Sequence, residues 1–282
     1  MSILGSLEPA FAYQSGGVLL HTRRVGRGPR VVLLHGGPGL DHHVMLPLAL
    51  PLAERFEVWI PDLPGHGHSH EGDGGLPDLT SLVERTTRWV ADLEPAPDLL
   101  IGHSLGAWLV RSMVARCRSR PRAAVLMAPP VPEPEAMDMR RARSWAGARR
   151  GRRPARGGEL AREFLEVCGA EVDGELSPAF VESIRSSRLR DATSYTALLG
   201  QFRRALREPL SPWKGECPVL LLTGDADSLC SRKQVEGLAA ITPASAVRFV
   251  SGAGHVLFSA DVDPVVGPIV DFWERTQRSK MK

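Results

Sequence analysis

A serine between two glycines is the first feature of the sequence that could do chemistry. Ser104 lies in the stretch GHSLG, with Gly102 two residues before it and Gly106 two residues after it, directly behind an apolar run. A nucleophile on a sharp strand-to-helix turn has a strained backbone, and glycines at these two positions avoid a clash across the turn. The alternative is a hydroxyl group in an ordinary tight turn. The order of apolar run, turn and helical pattern favours the nucleophile.

A second glycine-rich stretch is a candidate for stabilising negative charge. HGGPG, residues 35–39, directly follows the apolar run VVLL. A glycine turn lets a backbone amide face a reacting group without obstruction, so we assign the amides of Gly37 and Leu105 to an oxyanion hole. A plain glycine and proline loop is the alternative. His35 itself is predicted to be a structural histidine that ties the loop down.

A serine nucleophile needs a base and a group that orients the base. His255, in SGAGH after the last apolar run, is the predicted base, because the glycines around it leave room for an imidazole. Asp227, shortly after the run VLLLTG, is the predicted orienting carboxylate, and Asp225 is predicted to be a turn residue. Six other histidines are interpreted as loop residues that water can solvate: His42, His43, His66, His68, His70 and His103.

Seven apolar runs are predicted to be strands, and helical patterns follow most of them. The strands are predicted at 18–26, 30–36, 56–62, 98–104, 122–129, 218–225 and 246–255. The helices between them are predicted at 79–93, 105–117, 233–241 and 265–276. Most of these runs are continuously apolar, as in strands covered on both faces, and the first is expected to be antiparallel. The alternation predicts an α/β fold with a doubly wound, mostly parallel sheet.

One long segment interrupts this alternation with helical patterns alone. We therefore predict a core in two parts, residues 1–130 and 213–282, with an inserted helical cap at 131–212. The cap is expected to cover the carboxyl edge of the sheet, where ligands of open α/β sheets bind. The arginine-rich stretch 140–156 is either a basic mouth for an anionic substrate or a solvated loop. Six aromatic residues are predicted to serve mainly in cap packing: Trp145, Phe164, Phe180, Tyr195, Phe202 and Trp213.

Together these motifs resemble the α/β-hydrolase fold superfamily over nearly the whole chain. The order Ser104, Asp227, His255, with HGGPG upstream and DLPGHGHS after the next strand, is similar to that superfamily. The resemblance implies a serine hydrolase with a cap domain. HGGPG is similar to prolyl iminopeptidase-like members, whereas GHSLG is similar to esterases, lipases and thioesterases. Haloalkane dehalogenases and epoxide hydrolases resemble the pattern but use a carboxylate where this chain has Ser104.

Residues and resemblance together favour hydrolysis of an ester, thioester or related acyl bond in a small molecule, through an acyl-enzyme. A prolyl iminopeptidase-like aminopeptidase and an acyltransferase stay open as alternatives. The aminopeptidase would need cap carboxylates near the substrate amine, and the candidates are Glu133, Glu135, Glu163 and Glu166. No metal or organic cofactor is implied.

Composition narrows the class of protein further. The chain has 282 residues, of which 43% are hydrophobic and 24% charged, as in a globular protein that can bury a sizeable core. A net charge of +3 gives no argument for nucleic-acid binding. Without a signal-peptide pattern or an apolar window near 18 residues, no membrane span and a cytoplasmic location are predicted. The four widely spaced cysteines are interpreted as reduced thiols: Cys117, Cys168, Cys217 and Cys230.

Overall fold

A single eight-stranded sheet forms the centre of the molecule. The computed structural model describes residues 10–69, 76–115, 121–131, 177–178, 180–181, 192–208, 216–242 and 245–279. The strands are β1 (Phe11–Ser15), β2 (Val18–Val25), β3 (Arg30–Leu34), β4 (Glu57–Pro61), β5 (Leu99–His103), β6 (Ala123–Met127), β7 (Val219–Gly224) and β8 (Ser245–Val250). Their spatial order is β1-β2-β4-β3-β5-β6-β7-β8. Strand β2 is antiparallel to β1 and β4, and all other pairs are parallel, which confirms the predicted fold class.

Helices connect most of the strands, as the sequence pattern predicts. Those in the described part of the chain are α1 (Leu46–Leu52), α2 (Leu79–Ala91), α3 (Leu105–Val114), α4 (Ala192–Ala205), α5 (Arg232–Ala240) and α6 (Asp263–Ser279). A short 3-10 helix, His42–Met45, precedes α1. Every residue of β3, β5, β6 and β7 is buried, which explains why these runs are continuously apolar.

Three elements differ from the prediction. Strand β1 was not predicted, although Gly16 and Gly17, both with positive φ, form the two-residue turn of a β1–β2 hairpin. Helix α1 was not predicted, because it has seven residues and contains Pro51, so no helical period is visible. The last strand ends at Val250 and not at residue 255, so His255 lies in a loop.

The strand order brings the predicted site segments to one edge of the sheet. Strand β3 lies between β4 and β5. The chain passes from β3 to β4 on one side and then crosses to β5 on the other side, and a crevice opens at the carboxyl ends of the strands where the direction changes. Leu34 of β3 is in register with Gly102 of β5, which places the HGGPG loop beside Ser104. Strands β7 and β8 are parallel neighbours, so the segments that carry Asp227 and His255 also leave from this edge.

Helix α4 lies within the predicted cap segment and packs on the core. Its buried Phe202 meets the ring of Trp108 edge-on at a centroid distance of 5.4 Å. Gln201 accepts a hydrogen bond from the Leu79 amide at the start of α2 (2.7 Å). Buried Phe180 lies 6.3 Å between ring centroids from Phe258, so both aromatic residues pack against the core. Trp145, Phe164, Trp213 and the side chain of Tyr195 lie outside the described residues, and the cap boundaries 131–212 stay a prediction.

Close backbone contact at the Ser104 turn leads to a stability prediction. A Cβ atom on Gly102 would collide with the carbonyl group of Gly106, and backbone atoms cannot move aside as a flexible side chain can. Gly102→Ala should therefore lower the free energy of unfolding by about 1–3 kcal/mol, measured by urea denaturation. Gly237→Ala is the matched control, because nothing lies within 4 Å of its Cβ position in α5. That control should gain about 0.4–1 kcal/mol, and a neutral Gly102→Ala would contradict the steric account.

Candidate active site

Ser104 occupies a strained position between β5 and α3. Its backbone dihedral angles are φ 52° and ψ −117°, a region that non-glycine residues rarely adopt. The turn tolerates this strain because its backbone amide donates a hydrogen bond to the Met127 carbonyl (2.9 Å) and because Gly102 and Gly106 carry no side chains. A Cβ on Gly106 would collide with the carbonyl of Leu34 on the neighbouring strand. The hydroxyl group is thereby held at the first turn of α3.

The structure brings Ser104, His255 and Asp227 into one hydrogen-bonded chain. Nε2 of His255 lies 3.0 Å from Oγ of Ser104. Nδ1 of the same ring lies 3.0 Å from Oδ2 of Asp227 and 3.2 Å from Oδ1. With the proton on Nδ1, the ring donates to the carboxylate and its Nε2 can accept the serine proton. Geometrically this is the arrangement that activates a serine nucleophile, and the catalytic roles of the three residues stay predictions.

The Asp227 carboxylate is buried, yet it stays ionised. Burial acts to raise the pKa of Asp227, but the attraction of His255 and hydrogen bonds from His255 and two backbone amides outweigh it, so the pKa lies below its ordinary value. The amides of Leu229 and Cys230 donate to Oδ1 at 2.8 and 2.9 Å. These bonds fix the carboxylate and leave Oδ2 facing the imidazole.

The loops that carry Asp227 and His255 are tied to each other. A Cβ on Gly224 would collide with the carbonyl of Ala253, so the two loops come so close that no side chain fits between their backbones at this point. The exposed carboxylate of Asp225 accepts a hydrogen bond from the Gly252 amide (2.7 Å). Asp225 is therefore the turn residue that the sequence predicts, and it braces the loop before His255.

The HGGPG loop lies against the Ser104 turn. A Cβ on Gly36 would be 3.2 Å from Cβ of Ser104, so the two segments are in contact. Gly37 has a φ of 140°, a conformation that favours glycine. Leu105 is the first residue of α3, and its amide therefore has no acceptor within the helix. Gly37 and Leu105 thus flank Ser104, and their joint role as an oxyanion hole stays a prediction.

His35 is a structural histidine, as the sequence predicts. Its Nε2 accepts a hydrogen bond from the Leu63 amide (3.0 Å), and its Nδ1 lies 2.7 Å from the Gly36 carbonyl. The ring must therefore carry its proton on Nδ1, which donates a hydrogen bond to that carbonyl. Complete burial lowers the pKa of His35, so the ring stays neutral. It connects the HGGPG loop to the loop after β4.

His103 is a positioning residue that the sequence interpretation missed. Its Nε2 lies 2.9 Å from the carbonyl of His255, so it donates a hydrogen bond to the loop that carries the predicted base. Burial, followed by repulsion from His255, lowers the pKa of His103 to about 3. The neutral ring thus links the Ser104 turn to the His255 loop. The signal in the sequence was its place at the end of a buried apolar strand, beside the nucleophile.

The interpretation of the loop histidines as solvated is wrong for several of them. His42, His66 and His103 are buried. Both the backbone amide and Nδ1 of His42 lie 2.7 Å from Oδ1 of Asp62, a residue of DLPGHGHS. The His68 amide donates to Oδ2 of Asp62 (2.8 Å). Asp62 therefore organises the segment that follows the HGGPG loop.

Three groups of side chains in the described part of the chain place possible metal-ligand atoms within 4.8 Å of one another. They are His21, His42 and Asp62; Asp41, His42 and His43; and Asp227, Cys230 and His255. The third group shares two residues with the hydrogen-bonded chain at Ser104.

In the same described part, no helix is long and apolar enough to cross a membrane.

Comparison with known proteins identifies the family. The sequence model described as "Alpha/beta hydrolase family" matches residues 31–267. This chain belongs to that family, and it is a hydrolase.

Individual relatives match most of the chain. It is similar to a pimeloyl-[acyl-carrier protein] methyl ester esterase of Stenotrophomonas maltophilia (strain K279a), with 28% identity over 90% of this chain and 96% of that protein. The esterase of the same name from Chromobacterium violaceum is 30% identical over 82% of this chain and 84% of its own length. Among solved structures, E-2-(acetamidomethylene)succinate hydrolase superposes with a TM-score of 0.73 at 24% identity, over 94% of this chain and 100% of that one. At that identity the likeness supports the fold alone.

The hydrogen bond from His103 to the His255 carbonyl leads to a kinetic prediction. His103→Phe keeps an aromatic ring but removes the donor, so the His255 loop should shift and kcat for p-nitrophenyl butyrate should fall about 10²-fold with KM little changed. His103→Gln retains an N–H donor and should recover much of that loss. Equal kcat values for wild type and the Phe variant, or equal losses in both variants, would contradict a positioning role.

Proposed function

We propose that this hydrolase cleaves carboxylic esters with Ser104 as nucleophile, His255 as general base and Asp227 as the orienting carboxylate. The observation that carries the proposal is the continuous hydrogen-bonded chain from Ser104 Oγ through the His255 ring to Asp227 Oδ2. Two further features support it: the backbone of Ser104 is strained, and the pKa of the buried Asp227 carboxyl lies below its ordinary value. The reaction needs neither a metal nor an organic cofactor, and we place it in the cytoplasm.

The reaction follows from the direction of each hydrogen bond. His255 Nε2 takes the Ser104 proton as Oγ attacks the ester carbonyl, and the imidazolium that forms is stabilised by Asp227. The amides of Gly37 and Leu105 donate to the tetrahedral oxyanion. His255 then returns the proton to the departing alcohol, which leaves an acyl group on Oγ. Water, deprotonated by the same imidazole, releases the acid and restores the enzyme.

The relatives suggest which ester is cleaved. The two named above are, by name, esterases of a pimeloyl methyl ester on an acyl carrier protein, and they match 82–90% of this chain. We therefore propose a methyl ester as the substrate class, with methanol as the leaving group. An acyltransferase would share the first half of the reaction and differ in the acceptor that resolves the acyl-enzyme. The carboxylates considered for an aminopeptidase (Glu133, Glu135, Glu163 and Glu166), like the arginine-rich stretch 140–156, lie outside the described residues.

The role of Ser104 can be tested against a serine in the helix that follows it. Ser104→Ala removes the nucleophile and should lower kcat by about 10⁶-fold, to the level left by binding and the oxyanion hole. Ser112→Ala is the matched control, because its hydroxyl donates to the Trp108 carbonyl within α3 (2.9 Å) and does not touch His255. The control should keep the wild-type rate. Ester hydrolysis that survives in Ser104→Ala would refute the assignment.

Substrate preference separates the ester hydrolase from its alternatives. Dimethyl pimelate should release methanol at a rate that greatly exceeds the release of p-nitroaniline from proline p-nitroanilide, both measured as kcat/KM. The faster reaction of the anilide would favour the aminopeptidase. Product analysis of the same ester with an added primary alcohol should yield the free acid, whereas a dominant transesterified product would favour an acyltransferase.

A further inference from the structure

A thiol lies beside the proposed catalytic chain and is not used by it. The Asp227 carboxylate, Nδ1 of His255 and Sγ of Cys230 come within 4.8 Å of one another. All three residues are buried, and Cys230 is completely so. The Cys230 thiol lies 3.3 Å from the Ala128 carbonyl, to which it donates a hydrogen bond. The structure thus places a sulfur, a nitrogen and an oxygen donor around one point behind the imidazole.

We propose that Asp227, Cys230 and His255 form an inhibitory site for a thiophilic divalent cation such as Zn²⁺. Thiolate, imidazole and carboxylate are the three ligand types that zinc takes in proteins, and a site with three protein ligands leaves a fourth position for water. The inference rests on the proposed function, because inhibition requires that His255 act as the base.

The distance between the nitrogen and oxygen donors is close to that around a tetrahedral ion. Zinc bonds of about 2.3 Å to sulfur and about 2.0–2.2 Å to nitrogen and oxygen put neighbouring donors about 3.4–3.6 Å apart. His255 Nδ1 and Asp227 Oδ2 are now 3.0 Å apart, so the pair needs to open by a few tenths of an ångström. Two backbone amides hold Oδ1 of Asp227. Oδ2 meets the His255 ring and, at 3.4 Å, the Thr223 hydroxyl, a contact that an ion would have to displace.

The other two groups are weaker candidates for a thiophilic ion. Asp62 accepts from the amides of His42 and His68, one on each oxygen, and from the His42 ring as well. Asp41 accepts from the amide and the ring of His43, as the cap of the 3-10 helix. Neither group contains a thiol, the ligand type that selects a thiophilic ion.

Binding would change the tautomer of His255. The ion takes the lone pair of Nδ1. The proton that Nδ1 carries, and with which it hydrogen-bonds to Asp227, must therefore move to Nε2. The Cys230 thiol loses its proton to water and becomes a thiolate ligand, so one proton is released for each ion bound. With a proton on Nε2, the imidazole can no longer accept one from Ser104. The enzyme would then lack a general base although each of its residues is in place.

Inhibition by zinc tests the proposal directly. Zn²⁺, titrated without chelators or thiol reductants, should inhibit the wild type, and Cys230→Ser should raise the inhibition constant at least about 100-fold. Each variant is compared with its own zinc-free rate. Cys217→Ser is the matched control, since Cys217 is the other cysteine in the described part of the chain, and it should be inhibited like the wild type. Equal inhibition of Cys230→Ser and wild type would overturn the proposal.

Direct binding separates this site from the proposed function. X-ray absorption of zinc bound to the wild type should show one sulfur ligand at about 2.3 Å together with nitrogen and oxygen ligands. This measurement needs no variant, so it holds even if Cys230→Ser folds poorly. Ser104→Ala should bind zinc in the same way. A zinc shell without sulfur would overturn the site, whereas sulfur ligation without inhibition would support the site and contradict the role of His255.

Discussion

The hydrogen bond between Ser104 Oγ and His255 Nε2 joins residues 151 positions apart in the chain, and the rest of the site depends on it. It requires the segments after β5 and β8 to meet at one edge of the sheet, and the bond from His255 to Asp227 adds the loop after β7. Glycines set how close these segments come, because a Cβ on Gly224 would collide with the carbonyl of Ala253 and one on Gly106 with the carbonyl of Leu34. Strain at Ser104 is tolerated because the packed strands and α3 hold both of its sides.

Buried histidines brace this arrangement without adding charge to it. His35 and His103 each join two loops through a ring that burial keeps neutral. If either ring were protonated, its buried positive charge would repel the imidazolium that forms on His255 during the reaction. Asp227 is the partner kept ionised, by His255 and by two backbone amides. The predicted base thus has a neutral brace in His103 and an ionised partner in Asp227.

The sequence predicted the parts of the molecule that repeat a simple pattern. Apolar runs, most of them continuous, located seven of the eight strands, and the glycines around Ser104 located its turn. Strand β1 and helix α1 were missed because they are short, and because Pro51 hides the helical period of α1. His103 was missed since no spacing in a sequence shows that its ring reaches the His255 carbonyl, 152 positions away. Burial and long-range pairing, which decide what a histidine does, are properties of the fold.

The most direct test of the central claim is covalent labelling with a fluorophosphonate, mapped by mass spectrometry of the digested protein. The account predicts one adduct, on the peptide that contains Ser104, because His255 removes the proton as Oγ attacks phosphorus. His255→Ala should be labelled far more slowly under the same conditions. An adduct on another residue, no adduct at all, or an unchanged rate in His255→Ala would contradict the claim that Ser104 is a nucleophile activated by this histidine.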